Sequence, residues 1–91
     1  MRITVELSLY PMQGQPLEQI LRFIGMVQSD ARLEVTVNQM STQIRGELDD
    51  VLRAVTEALR ASFTAGGSQA LVAKFLNADL PILDPPDLTE R

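Results

Sequence analysis

The segment Ile3-Thr-Val-Glu-Leu-Ser-Leu9 alternates strictly, with Ile3, Val5, Leu7 and Leu9 on one side and Thr4, Glu6 and Ser8 on the other. A period of two belongs to a strand with one core face. Pro11 and Gly14 interrupt it, and Pro16 suits the first turn of a helix. Leu17, Ile20, Leu21, Ile24 and Val27 then keep helical spacing. Leu33, Val35 and Val37 alternate with Glu34, Thr36 and Asn38, which predicts a second strand. A short turn near Gln39 leads to a third over 41–46. Gly46 is read as its end and as the turn into a second helix. Glu47, Asp49 and Asp50 open that helix, where its dipole favours negative charge. Its expected buried stripe is Leu48, Val51, Leu52, Val55, Leu59 and Phe63. Gly66-Gly67 signals a helix stop, and the apolar run Ala70–Leu76 predicts a fourth strand.

The resulting order, β-α-β-β-α-β, is that of the split βαβ, or ferredoxin-like, α+β fold. Right-handed crossovers place strands 1 and 3 in the middle of a four-stranded antiparallel sheet, with both helices on one face. Residues 1–78 are expected to form this single domain. Residues 79–91, with Pro81, Pro85 and Pro86, are expected to form a non-helical tail whose Leu80, Ile82 and Leu83 pack on a neighbour.

Composition removes whole classes of chemistry. The chain has neither cysteine nor histidine, so disulfides, thiolate nucleophiles, hydrolytic triads and zinc sites are untenable. A net charge of −4 with no Lys/Arg cluster argues against nucleic acid. No apolar run approaches the ~20 residues that cross a bilayer. A charge lies within Met1-Arg-Ile-Thr-Val-Glu6, where a signal peptide needs an unbroken apolar stretch. The expectation is a cytoplasmic protein without membrane or nucleic-acid partners. The apolar fraction of 45 % fits a compact fold.

The chemistry concentrates in two segments. Parity puts Ser41, Gln43 and Arg45 on the helix-free face with Glu6 and Ser8, and Thr36 and Asn38 flank them. Because strand 3 runs opposite to strand 1, its start (Ser41, Thr42, Gln43) lies beside Ser8 and Tyr10. One carboxylate, several hydroxyls and amides therefore share one end of the open face.

Those segments, Glu6-Leu-Ser-Leu-Tyr-Pro11 and Met40-Ser-Thr-Gln-Ile-Arg-Gly46, resemble the thiamine-binding protein family, which includes thiamine and hydroxymethylpyrimidine binders. The resemblance spans roughly Ile3 to Leu59. It implies a ferredoxin-like fold, assembly by packing of sheets between subunits, and a non-catalytic site for a thiamine-related ligand, with no other cofactor. Where similar proteins follow a strand-4 lysine with an acid and a basic residue, Lys74 here precedes Phe75-Leu-Asn-Ala-Asp79.

The ligand chemistry fits Glu6, Ser8, Tyr10, Asn38, Ser41 and Thr42 as binding residues. A carboxylate such as Glu6 accepts from an exocyclic amine or faces a thiazolium cation. Ser8, Ser41, Thr42 and Asn38 donate to ring nitrogens, and Tyr10 covers a ring face. Each residue also has a plainer role. Glu6 pairs equally well with Arg45 or Lys74, and Ser8 and Thr42 are ordinary strand residues. Tyr10 is as good a plug for the strand end, and Ser41 as good a hairpin cap. Glu47, Asp49 and Asp50 fit a helix start better than a metal site, and Met12, Met26 and Met40 fit packing.

The leading expectation is a binding protein for thiamine or its hydroxymethylpyrimidine precursor, active in storage, salvage or delivery. The alternative is an oligomeric regulatory or protein-interaction module responding to another ligand. A small isomerase using Glu6 or Tyr10 is the least favoured, for want of histidine, cysteine or paired carboxylates. The open sheet face and the small core favour a homodimer or homotetramer through that face.

Overall fold

The computed structural model describes residues 1–89; the last two residues of the expected tail lie outside the described part. The elements are β1 (Arg2–Pro11), α1 (Pro16–Gln28), β2 (Glu34–Val37), β3 (Thr42–Glu47), α2 (Leu48–Ala65) and β4 (Gln69–Leu76). The sheet order is β2-β3-β1-β4, and every neighbouring pair is antiparallel. This is the expected ferredoxin-like α+β fold. Both helices cover the face that carries Ile3, Val5, Leu7 and Ile44. Among the described residues no helix is long and apolar enough to cross a membrane.

The alternation of β1 is realised in full on its core side: Ile3, Val5, Leu7 and Leu9 are all buried. Opposite them pack Phe23 and Val27 of α1, Leu33, Ile44 of β3, and Val51, Ala54, Val55 and Ala58 of α2. The helices differ from expectation in rotation. In α1 the buried line is Gln19-Phe23-Val27, while Leu17 and Leu21 stand 68 % and 58 % exposed. In α2 the line is Val51-Ala54-Val55-Ala58-Ser62, and Leu52 and Phe63 face outward. Small side chains here let the helix approach its neighbours closely, which a search for large apolar residues overlooks.

Gly46 also has a different role. It lies within β3 opposite Ile3, and its backbone does not need the left-handed region. A Cβ there would come within 2.8 Å of Leu33 Cδ2, so the glycine makes room for a core leucine. β3 runs one residue further, and α2 begins directly after Glu47. The acids at this start are used locally: Asp50 pairs with Arg53 at 2.8 Å and with Arg32 at 3.6 Å.

A chain of amides locks the end of the sheet where β1 leaves and β4 enters. The buried Gln19 donates through Nε2 to the Gln13 carbonyl at 2.7 Å and accepts at Oε1 from Gln69 Nε2 at 2.6 Å. Gln69 Oε1 in turn accepts from the Ser62 hydroxyl at 2.7 Å. Removing the central member strands the Gln13 carbonyl and the Gln69 amide in a half-buried site. Gln19→Ala is therefore expected to cost about 1–3 kcal/mol. Urea unfolding checks this, and an unchanged midpoint with unchanged slope would contradict it.

The segment after β4 returns over the open face of its own sheet. The Thr4 hydroxyl donates to the Ala78 carbonyl at 2.7 Å and accepts the Leu80 amide at 3.0 Å. Asp79 lies between two guanidinium groups, 2.6 Å from Arg45 Nε and 3.2 Å from Arg2 Nε. These contacts leave Thr4 only 6 % exposed on what the β-α-β-β-α-β pattern makes the uncovered side.

Candidate functional site

Register builds the site. Glu6 on β1 stands opposite Gln43 on β3 and Lys74 on β4, and antiparallel partners point to the same face. Glu6 Oε2 accepts the Ser41 hydroxyl at 2.9 Å, and Oε1 lies 3.3 Å from Lys74 Nζ. Arg45 is not available to Glu6, because Asp79 and Glu34 hold it, the latter at 3.3 Å. The Ser41 hydroxyl, followed by Lys74, holds the Glu6 carboxyl below the usual carboxylate range. A carboxyl depressed on folding adds stability above its unfolded pKa and loses it as pH falls through the folded value. Glu6 therefore remains an anion through neutral and mildly acid conditions.

Two small cavities lie near this carboxylate, one lined by Glu6 itself and one linked to it through Ser41. The first, of about 190 Å³, has Glu6, Gln43 and Lys74 on its floor and Leu76, Leu80 and Ile82 at its side. The second, of about 250 Å³, lies at the strand end between β1 and the β2–β3 turn, with Ser8, Tyr10, Asn38 and Ser41 around Ile20 and Ile24. Both fall below the ~300–1,000 Å³ of drug-sized sites, so each suits a single ring. A larger hollow of about 500 Å³ between the end of α1 and α2 is lined by Asp30, Arg32 and Glu57. Arg32 there is held by Asp30 at 2.9 Å, and the hollow shares no residue with the other two.

Five of the six residues singled out by the sequence lie near one another towards one end of the sheet, though not in one cavity, and the cavity at the strand end is closed from the helix side by Ile20 and Ile24 of α1. Glu6 lines the first. Ser8, Tyr10, Asn38 and Ser41 line the second, with Ser41 linked to Glu6. Asn38 Oδ1 accepts the Met40 and Ser41 amides at 3.0 Å each and so shapes the turn, leaving its amide nitrogen as the outward donor. Ser8 donates to the Met40 carbonyl at 3.3 Å, and Tyr10 is 54 % exposed. Thr42 is elsewhere: it opposes Leu7 on the helix side and is 4 % exposed. Its parity with the inward Ile44 is the reason.

Gln43, Lys74, Leu80 and Ile82 border the Glu6 cavity without having been singled out. Gln43 was legible, because it shares the parity of Glu6 and lies directly opposite. Leu80 and Ile82 were not, since nothing periodic in the tail shows that it folds back. Among the described residues no group of three or more acidic side chains converges as a metal site.

The ferredoxin-like sheet carries an ionised carboxylate beside small cavities, an arrangement suited to holding a small ligand. The sequence profile of the thiamine-binding protein family matches residues 5–74, and the chain belongs to that family. Solved structures share the fold, three of them as follows. A Thermotoga maritima protein, provisionally described as serving thiamine biosynthesis or salvage, is 20 % identical with TM-score 0.80, covering 90 % of this chain and 91 % of that one. A Streptococcus pneumoniae protein is also 20 % identical, with TM-score 0.78 and the same coverage. A Bacillus cereus domain of unknown function is 24 % identical, with TM-score 0.74, covering 87 % and 78 %. No protein of curated function matches the chain.

Proposed function

We propose that this chain is a non-catalytic binding protein for thiamine or its hydroxymethylpyrimidine precursor, acting in storage, salvage or delivery. The observation that carries the reading is the ionised Glu6 at the floor of a ring-sized cavity, with Gln43 and Lys74 as donors beside it. An aminopyrimidine presents one donor amine next to acceptor ring nitrogens. Glu6 accepts from the amine, while Gln43 and Lys74 serve the nitrogens. The thiazolium charge gains from the same carboxylate. The lowered Glu6 carboxyl suits holding a positive partner better than serving as a general base, which works best with a pKa near the operating pH.

Calorimetric titration tests the reading. Thiamine and hydroxymethylpyrimidine are expected to give saturable heats, with a pyrimidine lacking the exocyclic amine binding at least tenfold more weakly. The absence of heat and of thermal shift with both ligands at millimolar concentration would contradict it.

A further inference from the structure

The sheet alone does not make a good ring site. Of the sheet residues that line the Glu6 cavity, Thr4, Glu6, Gln43 and Lys74 are polar, and Val5 and Leu76 are apolar. Small-molecule sites are mostly apolar with a few placed polar groups. Here the missing apolar wall comes from the tail, where Leu80 and Ile82 border the cavity whose floor is Glu6, Gln43 and Lys74.

The tail is held in place at defined points. The Thr4 hydroxyl satisfies both the Ala78 carbonyl and the Leu80 amide. Asp79, one residue before Leu80, bonds Arg45 and Arg2 together. The Asp79 carboxylate and the Arg2 side chain are 40 % and 38 % exposed, and ion pairs of that exposure are individually weak. A wall fastened this way closes without being locked.

We propose that residues 78–82 are part of the ligand site, with Leu80 and Ile82 covering one face of the flat heteroaromatic ring bound at Glu6, and with Asp79, Arg2 and Arg45 as positioning residues that set the wall. The inference rests on the binding function proposed above and deepens it. It makes the tail a determinant of which ligand fits: a ring with an apolar face is retained, and a small hydrated cation gains nothing from the wall.

Two variants and two readouts test it in the full chain. Asp79→Ala releases the fastening and leaves the apolar side chains. Leu80→Ser removes the wall at its centre and leaves the fastening. Thiamine affinity is measured by calorimetry, and exchange of the Leu80 amide is followed by NMR without ligand. Leu80→Ser is expected to weaken thiamine binding by about tenfold, the change given by losing one well-packed apolar contact, and Asp79→Ala to weaken it by less, about two- to fivefold, because it loosens the wall and leaves its side chains. Asp79→Ala should also accelerate Leu80 amide exchange at least tenfold, with the β1 amides unchanged. If thiamine binds the natural chain and both variants equally well, the tail is no part of the site and the inference is overturned. If the natural chain binds no thiamine, the functional reading fails on its own, and exchange decides the wall. Protection at Leu80 that Asp79→Ala abolishes supports it; free exchange in both proteins overturns it.

Discussion

Glu6→Gln is expected to weaken thiamine binding by about 10- to 100-fold. A hydrogen bond to a charged group contributes about 1.5–3 kcal/mol net, and each 1.4 kcal/mol is tenfold in affinity. The substitution keeps the shape of the side chain, and an amide oxygen still accepts the Ser41 hydroxyl. The Lys74 pair is lost, but that lysine is 77 % exposed, so folding stability should change by less than about 1 kcal/mol. Neutral hydroxymethylpyrimidine should lose less than thiamine, because it brings no thiazolium charge. Calorimetry on the two ligands checks the contrast. Unchanged thiamine affinity would make Glu6 a cross-strand partner of Lys74 and nothing more.

The largest effect on stability is expected at Phe23. It is 2 % exposed within the cluster that joins α1 to β1, β3 and α2. Phe23→Ala should cost about 3–5 kcal/mol, the lost transfer energy plus that of an unfilled cavity. Domains of this size hold only about 5–15 kcal/mol in all, and each kcal/mol moves the midpoint by about 4–8 °C. A fall in Tm of more than about 10 °C follows. Leu21→Ala, on the same helix and 58 % exposed, should stay within about 1 kcal/mol of the natural protein. Thermal unfolding of the pair checks the rotation of α1, and equal losses would contradict it.

That rotation marks where the sequence stops being legible. Strand β1 alternates over its whole length, so its two faces could be read from residue type alone. The order of elements followed from period and from turn residues, and with it the antiparallel placement of Glu6 beside Gln43 and Ser41. Helix α1 is different, because apolar residues at 17, 20, 21, 23, 24, 26 and 27 cover more than half of its circumference. Which line faces the sheet is then decided by packing against α2 and by the Gln19 amide chain. In α2 the buried line runs through alanines, whose burial lets the helices and sheet approach and leaves no signature in large side chains.

The site was legible to the same depth. Parity located Glu6, Ser8 and Ser41, and the same parity places Thr42 in the core. The partner of Glu6 could not be read, since Arg45 and Lys74 share its face at neighbouring positions. Asp79 resolves that choice by capturing Arg45, and Asp79 sits in a proline-bearing segment whose return over the sheet is a tertiary event without a local pattern. Membership in the thiamine-binding protein family, matched over residues 5–74, ends before that segment begins.

A thiamine-type ligand bound reversibly on the open face beside Glu6 would perturb the backbone around that carboxylate first. Amide NMR of the natural chain, titrated with thiamine, tests this binding most directly. The account predicts saturable shifts at Glu6, Gln43, Lys74 and Leu80, with the hollow around Asp30, Arg32 and Glu57 unmoved. Shifts confined to that hollow, or none at millimolar thiamine, would contradict it.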